Sequence, residues 1–160
     1  MAIKFSKTSI QRMDGLHPDI VRVLYAAAAL ATDEEDFMVL EGVRSKEKMW
    51  ETYGKGRTAA ELAKKGVPAH YARPAEKKVT WLNNPLASNH RKMADGYGHG
   101  VDLAVWPIDF NATKRYVALY HLIMKAAKQE GVRLRSGFDW DQDGIIGEKG
   151  ETDLGHYELV

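Results

Sequence analysis

From Gly66 to Gly98 the chain carries Pro68, Pro74 and Pro85 and shows no sustained hydrophobic period, so this stretch offers neither a helix face nor a strand row to a core. The core must come from the flanks, and the irregular segment is left to cover or edge a site. On the N-terminal flank Pro18 suits a first helical turn, and Ile20, Val23, Leu24, Ala27 and Ala31 recur at helical spacing, which predicts a buried helix over residues 18–32. The acidic stretch Asp33 to Asp36 breaks that helix. Phe37 to Val43 is short, apolar and partly β-branched, a core strand that delivers Arg44 at its end. Ser45 is placed to cap a helix ending near Gly54, and Thr58 with Glu61 has capping-box spacing for a short helix to Lys65, stopped by Gly66. On the C-terminal flank Val101 to Val105 reads as a strand, and Tyr116, Tyr120, Ile123, Met124 and Ala127 form one face of a long helix ended by Gly131. Val132 to Arg135 and Tyr157 to Val160 read as two further strands. Elements in this order predict an α+β fold with one mainly antiparallel sheet and helices packed on it.

At 160 residues and 44% hydrophobic content the chain is sized for a single domain spanning residues 1–160. Its 23 basic and 22 acidic side chains leave a formal charge of +1, so no single-sign field favours nucleic acid or an anionic membrane as partner. The N-terminal residues have no apolar stretch behind their basic positions, and the longest apolar run, Val23 to Ala31, is too short to span a bilayer. These features predict a chain made as a soluble cytoplasmic protein, with no signal peptide and no membrane insertion. Cysteine is absent from the sequence, so a transition-metal site must use His with Asp or Glu.

Three of the six histidines, His90, His99 and His156, lie beside carboxylates and glycines in irregular sequence. A lone histidine is more often structural than a ligand, so their context has to decide. The segment from Ser88 to Leu103 places a His before a Gly-rich turn and Asp102 at a strand start, and Asp153 to Leu159 adds a second His between carboxylates. Two His and one Asp give zinc three protein ligands and leave the fourth position for water, the design of a catalytic site.

The order Ser-Asn-His ending at His90, Gly-x-x-x-Asp-Leu from Gly98 and Asp-x-x-His-x-Glu-Leu from Asp153 resembles the metallopeptidase family of D-alanyl-D-alanine carboxypeptidases, dipeptidases and phage L-alanyl-D-glutamate endopeptidases. Leu16-His17-Pro18-Asp19, the run Phe37 to Ser45, Gly56-Arg57-Thr58 and Val79-Thr80-Trp81 are similar to the phage endolysin branch, and the resemblance spans nearly the whole chain. It implies zinc held by His90, Asp102 and His156, Asp153 as general base, and Arg44 stabilising the developing oxyanion or binding a substrate carboxylate. Eleven residues separate His90 from Asp102, about five more than in the family pattern. His99 stands nearer to Asp102, while the motif order favours His90. Glu158 is placed either to orient a ligand or to face water.

The resemblance further implies hydrolysis of peptide bonds in bacterial peptidoglycan stems, most specifically the L-alanyl-D-glutamate bond. The protein would be a monomeric endolysin, made in the host cytoplasm and acting at the cell wall. The alternatives are a D,D-carboxypeptidase or dipeptidase with the same zinc chemistry, and an inactive peptidoglycan-binding virion module. Separately, Asp139, Asp141, Asp143 and Gly144 match the first half of a calcium loop, whereas the twelfth position is Gly150 and Glu151 falls one later. That half-match makes Asp139, Asp141 and Asp143 candidate calcium ligands.

Overall fold

Strand β2 (Gly100–Val105) alternates between two environments, and that alternation organises the protein. The computed structural model describes residues 3–160. Its four strands, β1 (Phe37–Glu41), β2, β3 (Leu134–Ser136) and β4 (His156–Leu159), form one sheet in the order β1-β2-β4-β3 with every neighbouring pair antiparallel. Val101, Leu103 and Val105 of β2 join Phe37, Val39 and Tyr157 in the main core. A strand's side chains alternate faces, so Asp102 and His156 point away from that core. Helices α2 (Pro18–Leu30) and α5 (Thr113–Glu130) pack on each other and cover the core face with Ile20, Val23, Leu24, Leu119 and Ile123. Ile123 is completely buried, and truncating it to Ala would cost about 2–5 kcal/mol.

The predicted α+β class and the antiparallel sheet are observed, with shifts at element ends. Helix α2 stops at Leu30 rather than residue 32, because Thr32 leaves helical geometry to cap a 3-10 turn, Asp33–Glu35, through a capping box with Glu35. Ser45 caps α3 (Lys46–Gly54) by accepting from Lys48 N at 3.1 Å. The Thr58 and Glu61 capping box starts α4, which runs only over Ala59–Ala63. Helix α5 ends at Gly131, whose φ of +69° is the left-handed cap that glycine adopts without a Cβ penalty. The third strand begins at Leu134 instead of Val132, since Val132 N still donates to Ala127 O and closes the helix end. The last strand starts one residue early, at His156.

Helix α1 (Lys7–Arg12) has no counterpart in the sequence pattern; it is short and holds a single large apolar residue, Ile10, which is exposed. Its reason is tertiary. Ser9 Oγ accepts from Val39 N and Arg12 Nη1 donates to Val39 O, both at 3.1 Å, which satisfies backbone groups that the edge strand β1 would otherwise leave bare.

The segment 66–98 contains one 3-10 turn, Ala69–Tyr71, and is otherwise irregular. Buried Arg57 anchors it, donating to Tyr53 O at 2.9 Å and to Thr80 O at 2.8 Å. Beside it lies a second small core of Tyr53, Leu62 and Val67. Among the described residues no helix is long and apolar enough to cross a membrane.

Candidate active site

Asp102 and His156 are direct cross-strand partners of β2 and β4, which sets their side chains side by side on the sheet face opposite the core. Nδ1 of His156 lies 2.8 Å from Oδ1 of Asp102, and Nε2 of His90 lies 3.1 Å from Oδ2. One ligand atom from each of the three falls within 4.8 Å of the others.

His90 arrives from the irregular segment and is held by its neighbours. Its backbone N donates to Ser88 Oγ at 3.1 Å, its carbonyl accepts from Arg44 N at 2.8 Å, and its Nδ1 sits 2.9 Å from Gly42 O. A carbonyl can only accept, so Nδ1 carries a proton and Nε2 is the nitrogen turned towards Asp102. His156 is fixed in the opposite sense: Nε2 faces Glu158 Oε1 at 2.8 Å. Glu158 is itself held by Asn89 Nδ2 at 2.9 Å and Arg135 Nη2 at 2.6 Å. Glu158 therefore orients a histidine rather than facing water. Gly100 leaves room for this packing, since a Cβ there would meet Asn89 O at 2.7 Å and His156 Cε1 at 3.3 Å.

The electrostatics match the geometry. Burial disfavours the charged His156 ring, but the hydrogen bonds to Asp102 and Glu158 prevail and hold it up to about 9. Burial also opposes ionisation of Asp102, and the donors His156 and His90 overcome it, keeping that carboxyl far below the usual range. Two imidazole nitrogens turned to one carboxylate, in a place that attracts positive charge this strongly, fit a divalent cation that takes the place of the shared protons.

A β-bulge brings the next groups in. Val39 pairs with Leu103 but Glu41 pairs with Asp102, so Leu40 is the extra residue and the strand end bends across the site. Glu41 takes Arg44 in a two-pronged pair, Nε at 2.8 Å and Nη2 at 2.9 Å, and Nη1 of Arg44 reaches Ser88 Oγ at 3.2 Å. That hydrogen bond lowers the Glu41 carboxyl and raises the Arg44 guanidinium. Arg44 and Asp153 line one cleft with His90, Asp102, His156 and Trp140. Asp153 stands at the solvent-facing mouth, where partial desolvation and the nearby Asp102 charge raise its carboxyl.

The chain between His90 and Asp102 closes on itself. Met93 N donates to Tyr97 O at 2.8 Å, Gly96 N donates to Met93 O at 2.9 Å, and Lys92 bridges to Gly98. The longer interval is thus a self-contained turn that leaves His90 on its anchors. His99 lies apart from the cleft, with Asp95 and His17. Glu41, Asn89, Arg135 and Trp140 had no role in the sequence reading. The spacing Glu-x-x-Arg gave a signal for the first, whereas Trp140, whose ring lies 5.6 Å from that of His156 and 5.3 Å from the Arg135 guanidinium, gave none.

In the acidic loop, Asp139 accepts from Asp143 N at 3.2 Å and Gly144 N at 3.0 Å. The carboxylates fall into two overlapping groups, Asp139, Asp141 and Glu151, and Asp141, Asp143 and Glu148. Glu151, one position late in sequence, still reaches the loop, because Gly147 and Gly150 with φ of +76° and +85° take up the extra residue.

A pair of oriented histidines and an aspartate, beside a carboxylate and an arginine in one cleft, is a group that could hold a metal ion next to acid–base and anion-stabilising side chains. The whole chain, residues 1–160, matches the family model described as phage L-alanyl-D-glutamate peptidase. The protein belongs to that family and is a peptidase; the bond in the family's description joins two residues of the peptidoglycan stem peptide. It is 26% identical over 166 residues to the L-alanyl-D-glutamate peptidase of Escherichia phage T5, covering 100% of both chains. It also shares the fold of a crystal structure of Serratia marcescens L-Ala D-Glu endopeptidase ChiX, with a TM-score of 0.59, 22% identity, and coverage of 99% of this chain and 90% of that one.

Proposed function

We propose that the protein is a zinc-dependent L-alanyl-D-glutamate endopeptidase acting as a phage endolysin, with His90, Asp102 and His156 as the metal ligands. The observation that carries this reading is the fixed proton arrangement, in which Gly42 O and Glu158 each hold the far nitrogen of a histidine and turn the near one towards Asp102. Such outer hydrogen bonds are the usual partners of metal-ligating imidazoles. A bound zinc would supply Lewis acidity at the scissile carbonyl and a more acidic water.

The chain's own groups supply the proton and charge steps. Asp153, whose carboxyl is raised by desolvation and by the nearby Asp102 charge, accepts a proton from the attacking water at a carboxylate oxygen. It then delivers that proton to the leaving amine nitrogen. Arg44, aimed by Glu41, donates hydrogen bonds to the oxyanion that develops on the carbonyl or to a carboxylate of the substrate. The protein acts as a monomer on peptidoglycan at the cell wall after synthesis in the host cytoplasm, with no nucleic-acid partner. Calcium is taken by the loop of Asp139, Asp141 and Asp143, with Glu151 completing the oxygen set.

Digestion of purified peptidoglycan followed by mass spectrometry tests the assignment. New L-alanine C-termini and D-glutamate N-termini are expected; new termini only at D-alanine would replace it with the carboxypeptidase chemistry. Calorimetric titration with calcium should show binding that Asp141→Ala removes.

A further inference from the structure

Outside the cleft, His17, Asp95 and His99 also bring one ligand atom each within 4.8 Å of the others. Nε2 of His99 lies 2.7 Å from Oδ2 of Asp95, and Nε2 of His17 lies 3.9 Å from the same oxygen. The two imidazoles stand edge to face with centroids 5.3 Å apart. The three residues come from the N-cap of α2, the turn between His90 and Gly98, and the residue before β2. Backbone bonds tie these places together: His17 N donates to Gly98 O, and Gly98 N to Gly15 O, each at 2.9 Å. Tyr97 N engages Oδ1 of Asp95 at 3.0 Å, which leaves Oδ2 directed to the histidines.

We propose that His17, Asp95 and His99 form a second site for a divalent transition-metal ion of the zinc class, separate from the catalytic cleft, which fastens the 91–97 turn to the start of α2. Ligands about 2.0 Å from a tetrahedral ion stand about 3.3 Å from one another, and the observed separations of 2.7 and 3.9 Å lie on either side of that spacing. The donor set, two imidazoles and one carboxylate, suits zinc and not calcium. All three side chains keep partial access to solvent, so water completes the coordination.

Loading requires one rearrangement that the structure is equipped for. Nδ1 of His17 accepts from Asp19 N at 3.0 Å, so in the free protein the ring proton sits on Nε2. When Nε2 binds the ion, that proton moves to Nδ1, the ring stays neutral, and Nδ1–H turns from the backbone to Oδ2 of Asp19, 3.8 Å away. The result is the carboxylate, histidine and metal arrangement common at zinc sites.

Equilibrium dialysis of the full chain against zinc, with calcium in excess to saturate the acidic loop, tests the proposal by elemental analysis of wild-type, Asp95→Asn and His99→Gln proteins. About two zinc ions per wild-type chain are expected, and one fewer in each variant, with affinity at this site reduced by more than about 100-fold. A fall from one to none would equally support this site and would count against the catalytic cleft as a zinc site. A zinc count that neither substitution changes overturns the proposal. Anomalous scattering at the zinc edge from wild-type crystals needs no variant: a peak between His17 and His99 is expected, and its absence would also overturn it.

Discussion

The cleft and the surface cluster use the same three side chains, two histidines and an aspartate, but prepare them differently. In the cleft His90 and His156 are 5% and 4% exposed, and each far nitrogen already faces an acceptor, Gly42 O or Glu158. On the surface, His17 spends its far nitrogen as the acceptor of a helix cap, so an ion there must first exchange that hydrogen bond. Identical donor types thus give a cleft whose rings are already oriented, with only a proton to exchange for the ion, and a surface site whose hydrogen bonds must be rebuilt by it. Rigidity before binding is what a reaction centre needs, since misplacing a reacting group by an ångström can cost about 100-fold in rate.

The sharpest way to break this contrast is to remove a cleft ligand. His90→Ala or His156→Ala is expected to abolish both tight zinc binding at the cleft and hydrolysis, measured by metal content and turbidity loss of wall suspensions. Asp153→Asn should keep zinc and fold while turnover falls by about two to four orders of magnitude. Near-normal wall hydrolysis by that variant would remove Asp153 from the mechanism.

A pH experiment reaches the same contrast without mutation. In the metal-free protein His156 titrates at about 9, against about 6.5 in an unfolded chain. Its folded value is raised, so its contribution, about 3 kcal/mol, is fully present below pH about 6.5 and is lost as pH rises through 9. Urea midpoints in chelator should therefore drop between pH 6 and pH 10. The zinc-loaded protein should lack this particular drop, because its Nδ1 holds the ion instead of a proton. Equal alkaline losses with and without metal would count against His156 as a ligand.

Smaller effects sharpen the picture. Glu158→Gln, which leaves His156 in place but weakens its outer partner, should cost about 10 to 100-fold in metal affinity or activity. His99→Gln should cost less than about 10-fold in hydrolysis, an order below what a group held against a cleft histidine gives. If the two substitutions proved equally damaging, the surface cluster would have to be joined functionally to the cleft.

Much of this was readable in the chain. Helical spacing from Ile20 to Ala31, the Ser45 and Thr58 caps and the Gly131 stop depend on contacts within a few residues, so local chemistry is enough to place them. The same holds for the irregular segment, whose prolines and missing period exclude regular structure wherever the rest of the chain goes. Helix α1 escaped because its partner, the bare edge of β1, is about thirty residues away and leaves no mark on residues 7–12. Trp140 escaped for a similar reason: nothing in an acidic loop announces that its one aromatic ring will turn onto His156.

Composition alone limits the residue types available for chemistry. With no cysteine, a metal must take His and carboxylate, and the order of motifs named which ones to suspect. Which histidine stands with Asp102 depends on folding. Eleven intervening residues permit either His90 or His99, and the choice rests on a turn that closes on itself, a bulge in β1 and the backbone of Gly42 and Arg44 gripping His90. These are contacts between segments distant in sequence, and their geometry exists only once the sheet has brought β1, β2 and β4 together.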